Sequence, residues 1–306
     1  MSIFATTPPA SAAPPQGAHA RRLAAEAAAS RLPALLVAAQ RVANTVAQGV
    51  HGRRRAGPGE TFWQFRRYMP GDTVDRIDWR QTAKTEQVYV RETEWESAQT
   101  VWLWRDRSPS MAWASSTKLP HKLDRAELLL VALASLLARG GERVGILGGT
   151  PRPLHGRFAV NRLADTVFAR NDPATGVPPA ARLARHSTVV LMGDFLAPLA
   201  ETDAAIRTLA AGGTRGHVVH LIDPAEEGLP YAGRTRFDGL ENEDSLLVSR
   251  VENLRGDYRK VFLGHVAGLR DIARAYGWGY VEHHTDKAPE LALMALWLAL
   301  ANDGKR

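Results

Sequence analysis

From residue 100 to residue 302 the chain alternates between short apolar runs and longer amphipathic ones, and this alternation limits the possible folds more than any other feature. TVWLWR (100–105), RVGILGG (143–149), STVVLMGDF (187–195), GHVVHLIDP (216–224) and WGYVEHH (278–284) read as strands. Residues 122–141, 157–170, 201–213, 253–277 and 288–302 carry helical spacing, and several of these segments stop at glycine. In the segment 253–277, Val261, Phe262, Val266, Leu269, Ile272 and Ala273 are expected on one face. Strand–helix alternation repeated this often specifies an α/β fold, a doubly wound and mostly parallel sheet of the Rossmann type with helices on both faces. Open sheets of this kind place ligand sites at the C-terminal ends of their strands. Attention therefore goes to the residues just after 105, 149, 193 and 222.

The first hundred residues have a different texture. Residues 1–20, rich in Ala, Pro and Ser, are expected to be disordered. Residues 21–97 form an N-terminal extension, helical from about Arg21 to Gln48 with a break near Pro33, and 98–304 form the sheet domain. HGRRRAGPGE (51–60) reads as a basic loop and QVYVRETEWE (87–96) as a strand. The net charge is +7, and the stretch from Arg21 to Arg55 holds seven arginines against Glu26 alone. Such an arm suits an acidic partner, phosphate or an anionic membrane surface, and equally a solvated helix. The absence of cysteine excludes disulfides, thiolate metal sites and cysteine nucleophiles. The opening residues lack the pattern of a signal peptide. The most apolar run, LALMALWLALA (291–301), is about half the length of a membrane span. A soluble, cytoplasmic protein is expected.

After the first strand comes Asp106-Arg107-Ser108-Pro109-Ser110, the pattern D-x-S-x-S. A carboxylate and two hydroxyls at this spacing on a tight loop can turn toward one point, and hard oxygen ligands suit Mg²⁺ or another divalent cation. Asp194, ending the third strand, is placed to add a second carboxylate, while Asp223 is a further acid or a turn residue. An ion held so sparsely keeps a free position that an acidic side chain from a partner could fill. The order strand, D-x-S-x-S-M, long helix resembles the von Willebrand factor A domain with its metal-ion-dependent adhesion site. That resemblance implies direct metal binding by Ser108 and Ser110, with Asp106 and Asp194 acting mainly through water. It departs from this pattern in having no threonine hydroxyl near the helix start at Phe158, since Thr150 lies too early.

The segment GPGETFWQFRRYMPGDTVDRIDWRQTAKTEQVYVRETEWE ahead of the sheet is more specific. Its Pro70-Gly71 is expected to form a type II turn, and Asp72, Asp75 and Asp78 can pair with Arg66, Arg67 or Arg80. Trp79 is expected to anchor the segment by packing on the sheet domain. A recognition surface for a partner is the alternative reading, because Trp and Arg are common interface hot spots. Arg66 or Arg67 with Tyr68, then Gly71-Asp72, Arg76, Ile77-Asp78-Trp79, Thr82-Ala83 and Val90-Arg91-Glu92 resemble the signature of the bacterial domain of unknown function family fifty-eight (DUF58). The resemblance continues through LIDPAEEGLP (221–230) and covers roughly residues 50–302. It implies a partnership with a MoxR-type AAA+ ATPase, or with its client protein, in a chaperone-like complex. The expected function is a non-enzymatic adaptor module. The competing expectations are a phosphotransferase using Asp106 and a nucleic-acid binder using Arg53-Arg54-Arg55. Ser108 stands where the haloacid-dehalogenase pattern needs a second aspartate, and no stacking platform accompanies the arginines.

Overall fold

A computed structural model describes residues 4–5, 36–47, 56–70, 72–85, 87–94, 99–156, 158–169, 175–240 and 244–303. The arginines at 53–55, and the expected disorder apart from residues 4–5, lie outside the described residues. Two compact units emerge, one formed by residues 1–47 with 99–306 and the other by residues 48–98. This division differs from the expected one, because the helix over 36–47 (α1) belongs to the sheet unit. Ala39, Val42, Ala43 and Val46 are buried along it, at the spacing of one helical face. Gln40 accepts from Ser135 Oγ at 3.3 Å and Asn44 Oδ1 accepts from Arg139 Nη1 at 2.8 Å, which fixes α1 alongside a later helix.

Within the sheet unit, five parallel strands carry the core: β4 (Thr100–Arg105), β5 (Arg143–Ile146), β6 (Thr188–Gly193), β7 (Arg215–Ile222) and β10 (Gly279–His284). Their spatial order is β10-β7-β6-β4-β5, and every neighbouring pair is parallel. All six residues of β6 are buried, the near-continuous apolar run expected of a strand covered on both faces. The sheet is reached by helices α3 (Lys122–Arg139), α4 (Ala159–Ala169), α5 (Leu199–Ala210), α7 (Val251–Ala275) and α8 (Pro289–Asp303). On one face Trp104, Val189, Leu191 and Val218 pack with Ile206 and Leu209 of α5 and Leu269 and Ala273 of α7. Helix α3 packs against α4 and α8 and against β4, β5 and β6. The strand order reverses between β4 and β6, so the loops after these two strands diverge and leave a crevice at the sheet's C-terminal edge.

A short helix, α6 (Pro224–Gly228), follows β7, and two small strands, β8 (Thr235–Asp238) and β9 (Leu246–Val248), pair antiparallel. The two-residue strand β1 (Phe4–Ala5), inside the segment expected to be disordered, pairs with β8. In α7, Val266, Leu269 and Ala273 are buried as expected, whereas Val261 is 71% exposed. Val261 lies five residues before Val266, half a turn off the stripe that Phe262 continues.

The second unit is built on β2 (Ala56–Arg67) and β3 (Tyr89–Glu94), an antiparallel pair joined through a 3₁₀ turn (Val74–Arg76) and a four-residue helix, α2 (Trp79–Thr82). Strand β2 replaces the expected loop. Its glycines and proline are accommodated by register shifts between Gly57 and Phe62 and between Phe62 and Gln64.

Gly216 on β7 faces the Trp278 indole, where an added Cβ would lie 2.3 Å from the ring. Gly216→Ala is expected to cost about 1–3 kcal/mol by overpacking, read as a lower urea midpoint with an unchanged far-UV spectrum.

Candidate functional site

The crevice between β4 and β6 holds the D-x-S-x-S loop. Asp106 extends the β4–β6 pairing by donating its N–H to Met192 O at 2.8 Å. Its Oδ1 accepts from the Ser108 N–H at 2.7 Å and from Ser108 Oγ at 2.6 Å. Ser108 Oγ and Ser110 Oγ lie 2.9 Å apart. Asp106, Ser110 and Asp194 are at most 1% exposed and Ser108 is 5% exposed, so the structure gathers all four residues expected to bind metal into one buried cluster. Phe195, next in line, holds a left-handed φ of 50° and its carbonyl oxygen accepts from His265 Nε2 at 2.9 Å, fixing the turn that aims Asp194 inward.

A lysine not singled out in the sequence completes the cluster. Lys122 is the first residue of α3 and is fully buried. Its Nζ donates to Asp194 Oδ2 at 2.7 Å and to Glu226 Oε1. Burial alone would strip the ammonium of its proton, but Asp194 and Glu226 hold its pKa above the ordinary lysine value. Burial likewise opposes charge on Asp194, yet Lys122 and a hydrogen bond from Ser110 pull its pKa below the usual carboxylate range. Asp106 moves the other way: burial, and then the Asp194 charge, push its carboxyl well above that range against the Ser108 bonds. Glu226 is pushed up to about 7, burial outweighing Lys122. Glu226 also closes a capping box on α6, accepting the Asp223 N–H at 2.7 Å while Asp223 Oδ1 accepts from Ala225 N at 2.9 Å. Asp223 Oδ2 takes the Ser115 N–H at 2.9 Å, so this acid caps and braces the loop and does not join the cluster.

The oxygens fit a small hard cation. Ser108 and Ser110 hydroxyls stand as far apart as neighbouring ligands of an octahedral ion with bonds of about 2.1 Å. Asp106 Oδ2 is buried without a hydrogen-bond partner. Among the described residues no group of three or more Asp, Glu or His side chains is arranged to hold a metal, so an ion here depends on the serine hydroxyls. A methyl at Gly176 would lie 3.7 Å from both Asp106 Oδ2 and Ser108 Oγ, so that residue lies against the cluster. Thr150 is engaged elsewhere, its Oγ1 accepting the Ile146 N–H at 2.9 Å.

In the second unit the residue pairing Asp72 is Arg66, through two parallel bonds of 2.9 and 2.8 Å. Asp72 Oδ2 also accepts the Met69 N–H at 2.8 Å, its own N–H returns to Met69 O at 3.0 Å, and Tyr68 Oη donates to Asp72 O at 3.2 Å. These bonds close the expected turn, although Gly71 lies outside the described residues. Asp78 is the N-cap of α2, accepting from Gln81 N at 2.9 Å, rather than an ion-pair partner. Arg67 is exposed, and the side chain of Arg76 lies outside what is described. Trp79 is 63% exposed, with Met69 at 59% and Val74 at 63%.

The profile of the family described as "Protein of unknown function DUF58" matches residues 64–267, two thirds of the chain. The chain belongs to this family. The DUF58 match takes in the Arg66–Asp72 turn, the whole buried cluster and most of α7. Two curated relatives, Uncharacterized protein Rv1480 of Mycobacterium tuberculosis and Uncharacterized protein Mb1516 of Mycobacterium bovis, are each 27% identical over 259 residues, 79% of this chain and 80% of theirs. A solved structure, conserved hypothetical protein BatB from Bacteroides thetaiotaomicron, aligns at 15% identity with a TM-score of 0.41, over 68% of this chain and 100% of that one.

Lys122, Glu226 and Gly176 escaped sequence reasoning, and two of them left signals. A lysine opening a helix goes against the preference for acids in a first turn. Asp223-Pro-Ala-Glu226 has the spacing of a capping box, which places Glu226 at a strand end.

Buried His220, whose Nδ1 lies 2.8 Å from Tyr280 Oη, has its pKa lowered to about 3 by burial. The unfolded chain takes up this proton near pH 6.5 and the fold resists it, so His220 lowers stability progressively as pH falls from about 6.5 toward 3. His220→Gln is expected to flatten that part of the stability–pH curve, measured by urea unfolding at stepped pH.

Proposed function

We propose that this DUF58 protein is a non-enzymatic, cytoplasmic interaction module with a von Willebrand A-like sheet domain, recruiting a MoxR-type AAA+ ATPase or its client. The observation that carries this reading is the display of Trp79, Met69 and Val74 at 59–63% exposure on a segment where Arg66, Asp72 and Asp78 are spent internally. The Arg66–Asp72 fork and the Asp78 cap hold the turn and α2, so the apolar side chains project from an ordered scaffold rather than a flexible loop. Ordered Trp side chains flanked by Arg, here Arg67 and Arg80, have the composition of interface hot spots. The partner's identity comes from the family resemblance.

The buried cluster has a separate part, within the sheet unit. Asp106, Ser108, Ser110 and Asp194 would hold a Mg²⁺-like ion, which supplies positive charge drawing the loops after β4 and β6 together. The bonds to Ser108 and the burial of the carboxylate suit Asp106 to a bracing role better than to that of a nucleophile, against the phosphotransferase reading.

The test is a pull-down with the tagged full-length chain. Wild type is expected to retain an AAA+ ATPase, and Trp79→Ala with Met69→Ala to lose most of it while keeping the wild-type circular dichroism. Absence of any AAA+ protein from every eluate would sink the partnership. Equal recovery by the variant would move the interface elsewhere. Calorimetry with Mn²⁺ on wild type and Asp106→Asn examines the ion separately.

A further inference from the structure

We propose that Lys122 is the built-in cation of the strand-end cluster and sets its affinity for a divalent ion by competing for Asp194. The inference rests on reading Asp106, Ser108 and Ser110 as ion ligands, and deepens it.

Lys122 occupies an unfavourable place twice over. It is fully buried, where an ammonium loses its hydration. It opens α3, where the unpaired N–H groups and the helix dipole already present positive charge. It also stands on Asp194, the carboxylate that Ser110 joins to the hydroxyl cluster. Only the two carboxylates of Asp194 and Glu226, from the ends of β6 and β7, make this position tolerable. The ammonium therefore does there what a bound ion does in an all-oxygen site: it draws the loops after two strands toward one centre.

The same contact has a consequence for any divalent ion. Asp194 offers Oδ2 to Lys122, so an ion would have to bind through Oδ1, which also takes the Leu196 N–H at 3.5 Å. An ion bound through Oδ1 would stand within a few ångströms of the ammonium, where like charges in a poorly solvated interior repel strongly. The protein thus holds its loops without an ion, and an ion gains only part of the charge that the carboxylates could supply. A hydrophobic side chain of similar length at 122 would release Asp194 completely. It would also strand Glu226 as a buried carboxyl, which Glu226→Gln would relieve.

The experiment compares wild type, Lys122→Met, and Lys122→Met with Glu226→Gln. Each is titrated with Mn²⁺ alone by isothermal calorimetry, and its thermal midpoint is followed with Mn²⁺ and with chelator. In the double variant, Mn²⁺ affinity is expected to rise by about tenfold or more over wild type, and the midpoint to become strongly Mn²⁺-dependent. Circular dichroism of the double variant checks folding if Lys122→Met alone does not fold. Unchanged or weaker Mn²⁺ binding by a folded double variant overturns the inference. Binding by the double variant with none by wild type supports it while removing the ion from the wild-type function. No binding by any variant defeats both readings. Strong binding by wild type that the double variant does not exceed leaves the ion standing and defeats the role assigned to Lys122.

Discussion

The ammonium of Lys122, held between Asp194 and Glu226, is the contact on which the functional end of the sheet depends. It ties the start of α3 to the loop after β6 and to α6 at the end of β7, elements brought together only by the parallel sheet. Breaking a buried pair by removing one partner costs about 3–5 kcal/mol, because the remaining charge is left without water. A second buried pair lies one residue before the D-x-S-x-S loop. Arg105 Nε meets Glu127 of α3 at 3.3 Å and its Nη2 donates to Val167 O of α4 at 2.6 Å. The loop is therefore gripped on both sides by cations reaching across elements. This explains how an aspartate and two serines stay buried and convergent in a crevice that would otherwise fill with water.

The second unit follows a different physical logic. Its charges act at short range, closing a turn and capping a helix, with Arg66 32% and Asp72 16% exposed. An exposed ion pair contributes little to stability, but a two-bonded guanidinium–carboxylate fork defines geometry well. Arg66, Asp72 and Asp78 define the shape of the described part of this unit, from which Met69, Val74 and Trp79 stand exposed. In the sheet unit Asp106, Lys122, Asp194 and Glu226 are buried.

The five parallel strands were legible because strands covered on both faces must be apolar throughout, and their helices because the interval between apolar residues changes to the helical one. The D-x-S-x-S loop was legible because its three oxygens lie within five residues. Strand β2 was not, since glycine and proline signal a loop and only pairing with β3 makes the stretch extended. Arg66 and Arg67 could not be told apart, because neighbours on a strand face opposite ways and only the fold says which side holds Asp72. The burial of the cluster was missed for a similar reason: its neighbour Gly176 lies 68 residues beyond Ser108 in the chain.

What the sequence determined by itself is whatever a local window encodes: the order of strands and helices, the loop carrying Asp106, Ser108 and Ser110, and the signature turn. Backbone preference and side-chain periodicity act over a few residues, and their record survives in the order of the amino acids. Tertiary structure alone decided the partners of the buried charges. Lys122 meets Asp194 across 72 positions and Glu226 across 104. A charge's partner is set by distance in space and by the exclusion of water, and neither exists until the sheet has assembled.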